Sequence, residues 1–483
     1  MSIRRNLVWA AAAQILFFGL QFATQILVTR LLSPYEVGIY AVALSTNGLL
    51  ATLQTFGLLS LLVREPELDR PLIDTVFTIN AALNVTLSLL VFLASFVAAR
   101  VYAEPGVGSV MALIAVAPLI SLFELRPSGL LQRELQFDKI AIVSASKATT
   151  ASVVTILGVL TGHGYMSMAW GNLAGTIAAV VVVNVFGRRH IALTLSLARW
   201  RTVMTFGLRM IAIGGVNTLS TRLGELILGR LLGLSALGLF SRAASLHSML
   251  WDNIHTVFTK VIFADLAEQH RKSGTLRQAY LGVLANMTAL LWPAFAGVAV
   301  LSGPIVHLLY GSRWTGAAPL LSILALAGIL LTCVTMTWEV FVIRDETKLQ
   351  VKIEYRRAGL SLAYFTGGAL AGGVIGAAVA RVVDAITAIV LYRPPLARLT
   401  ETTTADVTPI YGRSLLLAAA AIAPAAALML KAHGDPAVPL WQVALAVALG
   451  VGLWGIALIL CRHPLVNEAR RVLSRLTRRA AAS

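Results

Sequence analysis

Arg222 and Glu225 stand three residues apart in a stretch, 207–232, that is otherwise mostly apolar. On a helix this spacing puts both on one face, with Gly215 and Thr218 on the preceding turns. A guanidinium beside a carboxylate at such a place has two uses. It is a structural ion pair between helices, or it walls a watery cavity where an anion competes for the guanidinium. Arg381 and Asp384 repeat the spacing within 374–392, and there the structural pair is the stronger reading. Lys147, Arg209 and Arg242 are further cations inside apolar stretches. Lys147 lies about two helical turns from the start of 140–160, where it either snorkels or lines a cavity. Arg242 neighbours Ser241 and Ser245, and Arg209 is close enough to a stretch end to snorkel. Carboxylates are scarcer. None is central in an apolar stretch of the first 200 residues, and of the later ones Glu225 is the best placed. Unpaired positive charge suits an anionic ligand such as a diphosphate better than a cationic one.

The elements that must position these groups follow from composition. Of 483 residues, 58% are hydrophobic and 13% charged, and the mean hydropathy is +0.81. A soluble chain carries about twice that share of charge. The composition points to an all-α polytopic membrane protein. It argues against a soluble enzyme, a secreted disulfide scaffold and a nucleic-acid partner, despite a net charge of +17. A spanning helix needs about 20 largely apolar residues. Fourteen stretches qualify: 7–29, 38–62, 74–98, 107–125, 140–160, 165–186, 207–232, 236–260, 280–302, 318–343, 356–372, 374–392, 413–431 and 440–461. With the N-terminus in the cytoplasm, 29 of the 39 Lys and Arg fall in cytoplasmic segments. Arg30, Arg100, Arg230, Arg313 and Lys431 fall outside, and five lie within spans. That bias sets both termini in the cytoplasm. The tail 467–479 reads as a basic amphipathic helix on the anionic leaflet.

No loop is long enough for a catalytic domain, and no nucleotide, metal or hydrolase motif is present, so no cofactor is expected. Cys333 and Cys461 sit in apolar stretches without ligand spacing and read as packing residues.

Residues 30–43, RLLSPYEVGIYAVA, match 230–243, RLLGLSALGLFSRA, at five positions under an offset of 200. Each segment joins two spans at the same place in the topology. Residues 1–200 and 201–400 then read as two six-helix lobes in parallel pseudo-repeat, with two extra helices and the basic tail in 401–483. Parallel halves around a midplane site are a transporter architecture. The offset sets the charged face of span 7 against Gln21 and Gln25 of span 1.

The segments TRLLSPYEVGIYAVALSTNGLLATLQTFGL (29–58), LILGRLLGLSALGLFSRAASL (226–246) and WPAFAGVAVLSGPIVHLLYGSRWTGAAPLLSILALAGIL (292–330) carry a family resemblance. Together they resemble Wzx-type polysaccharide flippases, relatives of the lipid II flippase and the multidrug exporters of one superfamily. The resemblance implies a V-shaped pair of lobes and alternating access. It implies that undecaprenyl-diphosphate-linked oligosaccharide crosses the bacterial inner membrane for exopolysaccharide or O-antigen synthesis, beside membrane lipid and polysaccharide polymerase machinery. Its cationic cavity falls on Arg222, with Lys147, Arg242 and Arg381 placed by depth rather than by motif. Glu225 would hold Arg222, and Gln21 and Gln25 would meet sugar hydroxyls. Asp384 completes the candidate set. Span 1 lacks the arginines of lipid II flippases, which argues against that substrate. A multidrug antiporter would need an unpaired buried carboxylate, a polymerase or ligase a large outer loop, and a scaffold no buried charge.

Overall fold

A computed structural model describes residues 19–51, 57–64, 69–188, 194–252 and 275–465. Every regular element among them is helical. The chain divides into two units, Met1–Gly238 and Leu239–Ser483.

In the first unit, α1 (19–31) and α2 (Pro34–Ala51) meet at a tight corner. Ser33 and Glu36 form a reciprocal cap there. The Glu36 carboxylate accepts from the Ser33 amide at 2.9 Å and hydroxyl at 2.8 Å, and the Glu36 amide donates to Ser33 Oγ at 3.3 Å. Pro34 fits the first helical position because it has no amide to satisfy. Next come α3 (Leu58–Arg64) and α4 (Arg70–Val101). Asp69 caps α4, accepting from the Leu72 amide at 3.0 Å, and pairs with Arg199 at 2.9 Å. The Arg199 guanidinium holds the Asp69 carboxyl below its usual range.

Span 4 was expected as one helix over 107–125. It is instead α5 (Pro105–Ile114), α6 (Val116–Ser121) and α7 (Leu125–Arg133), with a bend of 49° between α6 and α7. Pro118 and Pro127 each remove an amide from the ladder, and the breaks flank them. The pair α8 (Phe137–Leu160) and α9 (Met166–Phe186) packs through small residues, and a Cβ on Gly175 would sit 2.7 Å from the Lys147 carbonyl. The last long helix of the unit is α10 (Trp200–Leu232), followed by α11 (234–252), which runs into the second unit.

The second unit continues with α12 (Arg277–Val300), α13 (Ser302–Tyr310), α14 (Ala317–Thr332), α15 (Thr337–Ile343), α16 (Thr347–Thr400), α17 (Thr404–Lys431) and α18 (Leu440–Leu460). Span 10 breaks between α14 and α15 at Met336, whose φ is 59°. The 54 residues of α16 are two arms. Gly372 and Gly373 leave helical geometry, and Gly373 takes φ 59°, where a side chain is strained. The arms run back along each other: a Cβ on Gly368 would lie 2.4 Å from the Gly376 carbonyl oxygen, and the reverse 2.0 Å. Buried Tyr280, Phe341, Tyr392 and Leu396 fill the space between α12, α15 and the second arm. Ion pairs tie the helix ends at 277, 344–346 and 398–406, with Arg344 to Glu401 at 2.9 Å, Arg398 to Glu346 at 3.1 Å and Arg277 to Asp406 at 2.8 Å.

Among the described residues, eight helices are long and apolar enough to cross a membrane, nine if the bent pair counts as one span. The chain is an all-α, multi-pass membrane protein. Expected spans 1, 2 and 8 reach beyond the described residues, as do the basic tail and the central loop 253–274; the side chain of Arg209 is also outside them.

Candidate functional site

Helix α2 lies antiparallel to α10 in a fixed register that starts at Leu234, the first residue of α11, and the site is the lower part of that contact. A Cβ on Gly38 would stand 1.9 Å from the Leu234 carbonyl oxygen. One on Gly229 would stand 3.6 Å from Val42 Cγ2. Ser45 Oγ lies 2.6 Å from Glu225 Oε2. A Cβ on Gly48 would stand 2.9 Å from Arg222 Nε. Positions 38, 42, 45 and 48 therefore step down one face of α2 at helical spacing. They meet 234, 229, 225 and 222 in order. Small residues at three of the four places on α2 let the backbones approach, as helices do in lipid.

The lowest two rungs hold charge. Arg222 Nη1 donates to Glu225 Oε2 at 2.9 Å. The same oxygen faces the Ser45 hydroxyl, whose one proton is shared with the Ala41 carbonyl at 2.7 Å. The Arg222 side chain is 33% exposed and that of Glu225 13%. The guanidinium is thus held by one carboxylate oxygen, on a side chain that keeps a third of its surface exposed. An anion with two oxygens can satisfy it better than this single contact does.

Lys147 projects from the middle of α8 and is exposed. It has no side-chain partner among the described residues. Past Phe137 at its first position, the large exposed apolar residues of α8 are Ile142, Val153, Leu157 and Leu160. At roughly 100° per residue they share one stripe, and Lys147 stands roughly 120° round from it. Lys147 is thus set off that apolar stripe at mid-helix. Gln21 is exposed and Gln25 half-buried on α1. Arg242, on α11, is half-buried.

Arg381 and Asp384 are not brought together as a pair. Asp384 is taken by Arg357, from the other arm of α16, through two bonds of 3.2 and 2.9 Å. The hairpin at Gly372–Gly373 places this two-pronged partner opposite, and a planar fork fits a carboxylate better than an i,i+3 neighbour does. Glu354 supports Arg357 at 3.9 Å and accepts from the Tyr392 hydroxyl at 2.5 Å. The Arg381 guanidinium lies over the Phe365 ring, 4.7 Å from its centroid.

Two features escaped sequence reasoning. Ser45 and Gly48 complete the Arg222 site, and nothing in their types distinguishes them from other small residues of α2. A cavity of about 220 Å³ opens where α6 breaks from α7, lined by Asn80, Asn84, Ser121 and Glu124 among others. Asn80 donates there to the Leu122 carbonyl at 3.1 Å, satisfying backbone freed by the break. Among the described residues no three His, Cys, Asp or Glu gather to hold a metal.

The family described as polysaccharide biosynthesis protein matches residues 27–319. The lipopolysaccharide biosynthesis protein WzxC of Escherichia coli (strain K12) is 24% identical over 381 residues, 77% of each chain. The succinoglycan biosynthesis transport protein ExoT of Rhizobium meliloti (strain 1021) is 27% identical over 335 residues, 69% of this chain and 68% of that one. In fold, the lipid II flippase MurJ in an inward closed conformation superposes with a TM-score of 0.76 at 12% identity, covering 95% of this chain and all of that one. An inward-facing multidrug transporter of the MATE family gives 0.65 at 17% identity over 80% of this chain and 96% of that one.

Proposed function

Since the chain belongs to the polysaccharide biosynthesis protein family, we propose that it moves undecaprenyl-diphosphate-linked oligosaccharide from the inner to the outer leaflet of a bacterial inner membrane. The named relatives act in lipopolysaccharide and succinoglycan synthesis, one of them as a transport protein, which supports this substrate class. We place fourteen crossings, both termini in the cytoplasm, and two lobes, 1–200 and 201–400, that alternate access. The excess of cytoplasmic Lys and Arg supports the orientation.

The observation that carries the reading is the half-open Arg222, held by one oxygen of Glu225 within a membrane helix. The diphosphate takes this guanidinium, and Lys147 supplies a second cation off the lipid face. Gln21 and Gln25 offer amides to the sugars. Arg242 and Arg381 add positive charge in the second half, and Asp384 serves there through the arm it braces. Energy comes from an ion gradient or from mass action.

The test is the leaflet distribution of undecaprenyl-diphosphate oligosaccharide in cells lacking the protein. Inner-leaflet build-up should be relieved by the parent. With Arg222→Ala relief should fall about ten- to a hundredfold, the weight of a charge-assisted contact of 1.5–3 kcal/mol. Equal relief by both removes Arg222 from the mechanism. Accumulation of finished units on the outer leaflet would point to a polymerase or ligase instead. An unchanged pool in cells holding no second flippase would favour a multidrug exporter.

A further inference from the structure

Above the α2–α10 contact, the starts of α2 and α11 meet in a two-fold seam. Gly38 abuts the Leu234 carbonyl, and a Cβ on Gly238 would stand 1.9 Å from the Pro34 carbonyl oxygen. Gly238 is Gly38 plus the repeat offset of 200, and Leu234 is Pro34 plus the same offset. The matching segments of the repeat thus close on each other, each glycine against the other's carbonyl. Val37 and Leu237, equivalent under the same offset, are both fully buried. This seam and the Arg222 site are the two ends of one ladder of contacts. Between them Tyr102 donates to the Leu226 carbonyl at 2.8 Å.

We infer that Arg222, Glu225 and Ser45 form a latch: an anion that draws Arg222 off Glu225 unzips α2 from α10 and opens the Gly38/Gly238 seam. Its trigger rests on the reading that a lipid diphosphate meets Arg222. The ladder carries the rest. Among the described residues Glu225 bonds to α2 through the Ser45 hydroxyl, and its charge is balanced there by Arg222. When the guanidinium turns to an anion, a half-buried carboxylate is left without its cation. A charge in that state is stabilised by reaching water. It does so by leaving Ser45, and the helices part from the bottom rung upward. Ser45 and Glu225 are positioning residues in this scheme, acting on the seam through the ladder.

The test uses the full chain with Cys333→Ala and Cys461→Ala, carrying Leu237→Cys, in lipid nanodiscs, and follows maleimide labelling. Val37→Cys is a second reporter. In the parent background labelling should be slow. Undecaprenyl diphosphate should speed it about tenfold, the change that one charge-assisted bond makes in an equilibrium. Undecaprenol, with the tail and no anion, should leave it unchanged. Arg222→Ala should label fast with or without lipid, because it leaves Glu225 uncompensated. Glu225→Gln should stay slow even with the diphosphate, because a neutral amide oxygen keeps the Ser45 bond without needing Arg222. Gly38→Ala should label fast throughout.

Opposite behaviour of Arg222→Ala and Glu225→Gln, at equal thermal stability, is what a latch gives and a plain structural pair does not. The idea is overturned if both label fast, if both label as the parent does, or if undecaprenol works as well as the diphosphate. Failure in the leaflet assay with a responsive latch here would remove the flippase reading alone. Normal leaflet transfer with an unresponsive seam would remove the latch alone.

Discussion

Arg222–Glu225 and Arg381–Asp384 look alike in sequence, yet the structure gives Asp384 to Arg357, and the two pairs that result differ in the physical respects that decide their use. Arg222–Glu225 is local, three residues apart on one helix, joined by one bond, with side chains 33% and 13% exposed. Arg357–Asp384 joins two arms of a hairpin by two parallel bonds, with side chains 17% and 8% exposed. The first is held by one bond within a single helix and reaches α2 through the Ser45 hydroxyl. The second is the more buried, with Glu354 and Tyr392 behind it. Burial and denticity, not residue type, separate a pair that can exchange partners from one that staples a fold.

The comparison breaks most easily at the second pair. Asp384→Asn leaves the buried Arg357 with only the distant Glu354 as counter-charge and should cost about 3 kcal/mol of stability. Arg222→Ala should cost less, about 1 kcal/mol, because the guanidinium is partly exposed and Glu225 gains water as the seam opens. Thermal unfolding of the purified protein in nanodiscs measures both. Similar losses would make the two pairs structurally equivalent and weaken Arg222 as a ligand contact.

A finer probe keeps charge and removes only the fork. Arg357→Lys sacrifices one of two parallel bonds and should cost roughly 1–3 kcal/mol. Arg222→Lys keeps a single contact to Glu225 and should shift stability by less than about 0.5 kcal/mol. The same unfolding series reads both, and an equal effect at the two positions would show that denticity is not the difference.

Part of this contrast was legible from residues alone. The i,i+3 face of Arg222 and Glu225 is fixed by helical geometry. The offset of 200 picked out the segments that meet at the seam. Lys147 announced itself as a cation inside an apolar run. The partner of Asp384 was not legible, because it depends on a reversal at Gly372–Gly373 that brings position 357 opposite 384. A Gly pair in a Gly-rich span signals a break without saying how far the chain turns. The kinked α5–α7 span has its prolines in plain view, yet apolarity alone reads it as continuous. Ser45 and Gly48 were invisible for another reason. Their role lies in what α10 brings to them, and small residues are common on every helix of this chain.

The smallest expected effect concerns the end of the second unit, just past α18. His463 is buried, donates its amide to the Leu458 carbonyl at 3.0 Å, and accepts from the Leu465 amide on Nδ1 at 3.3 Å. Burial holds its pKa below the usual value, and the positive charge of Arg413 adds to this. The unfolded chain therefore takes up the proton first. The stabilising contribution is whole above about pH 6.5, the ordinary histidine value, and falls away as pH drops toward the depressed folded value. The melting temperature should fall between pH 7.5 and 5.5 by a degree or two, on the order of 1 kcal/mol in a chain this long. His463→Asn keeps an acceptor for the Leu465 amide and cannot titrate, so it should flatten that dependence. Neither member of the Arg357–Asp384 staple is a histidine, so a pH profile unchanged by His463→Asn would move the acid-labile point of this unit away from the α18 end.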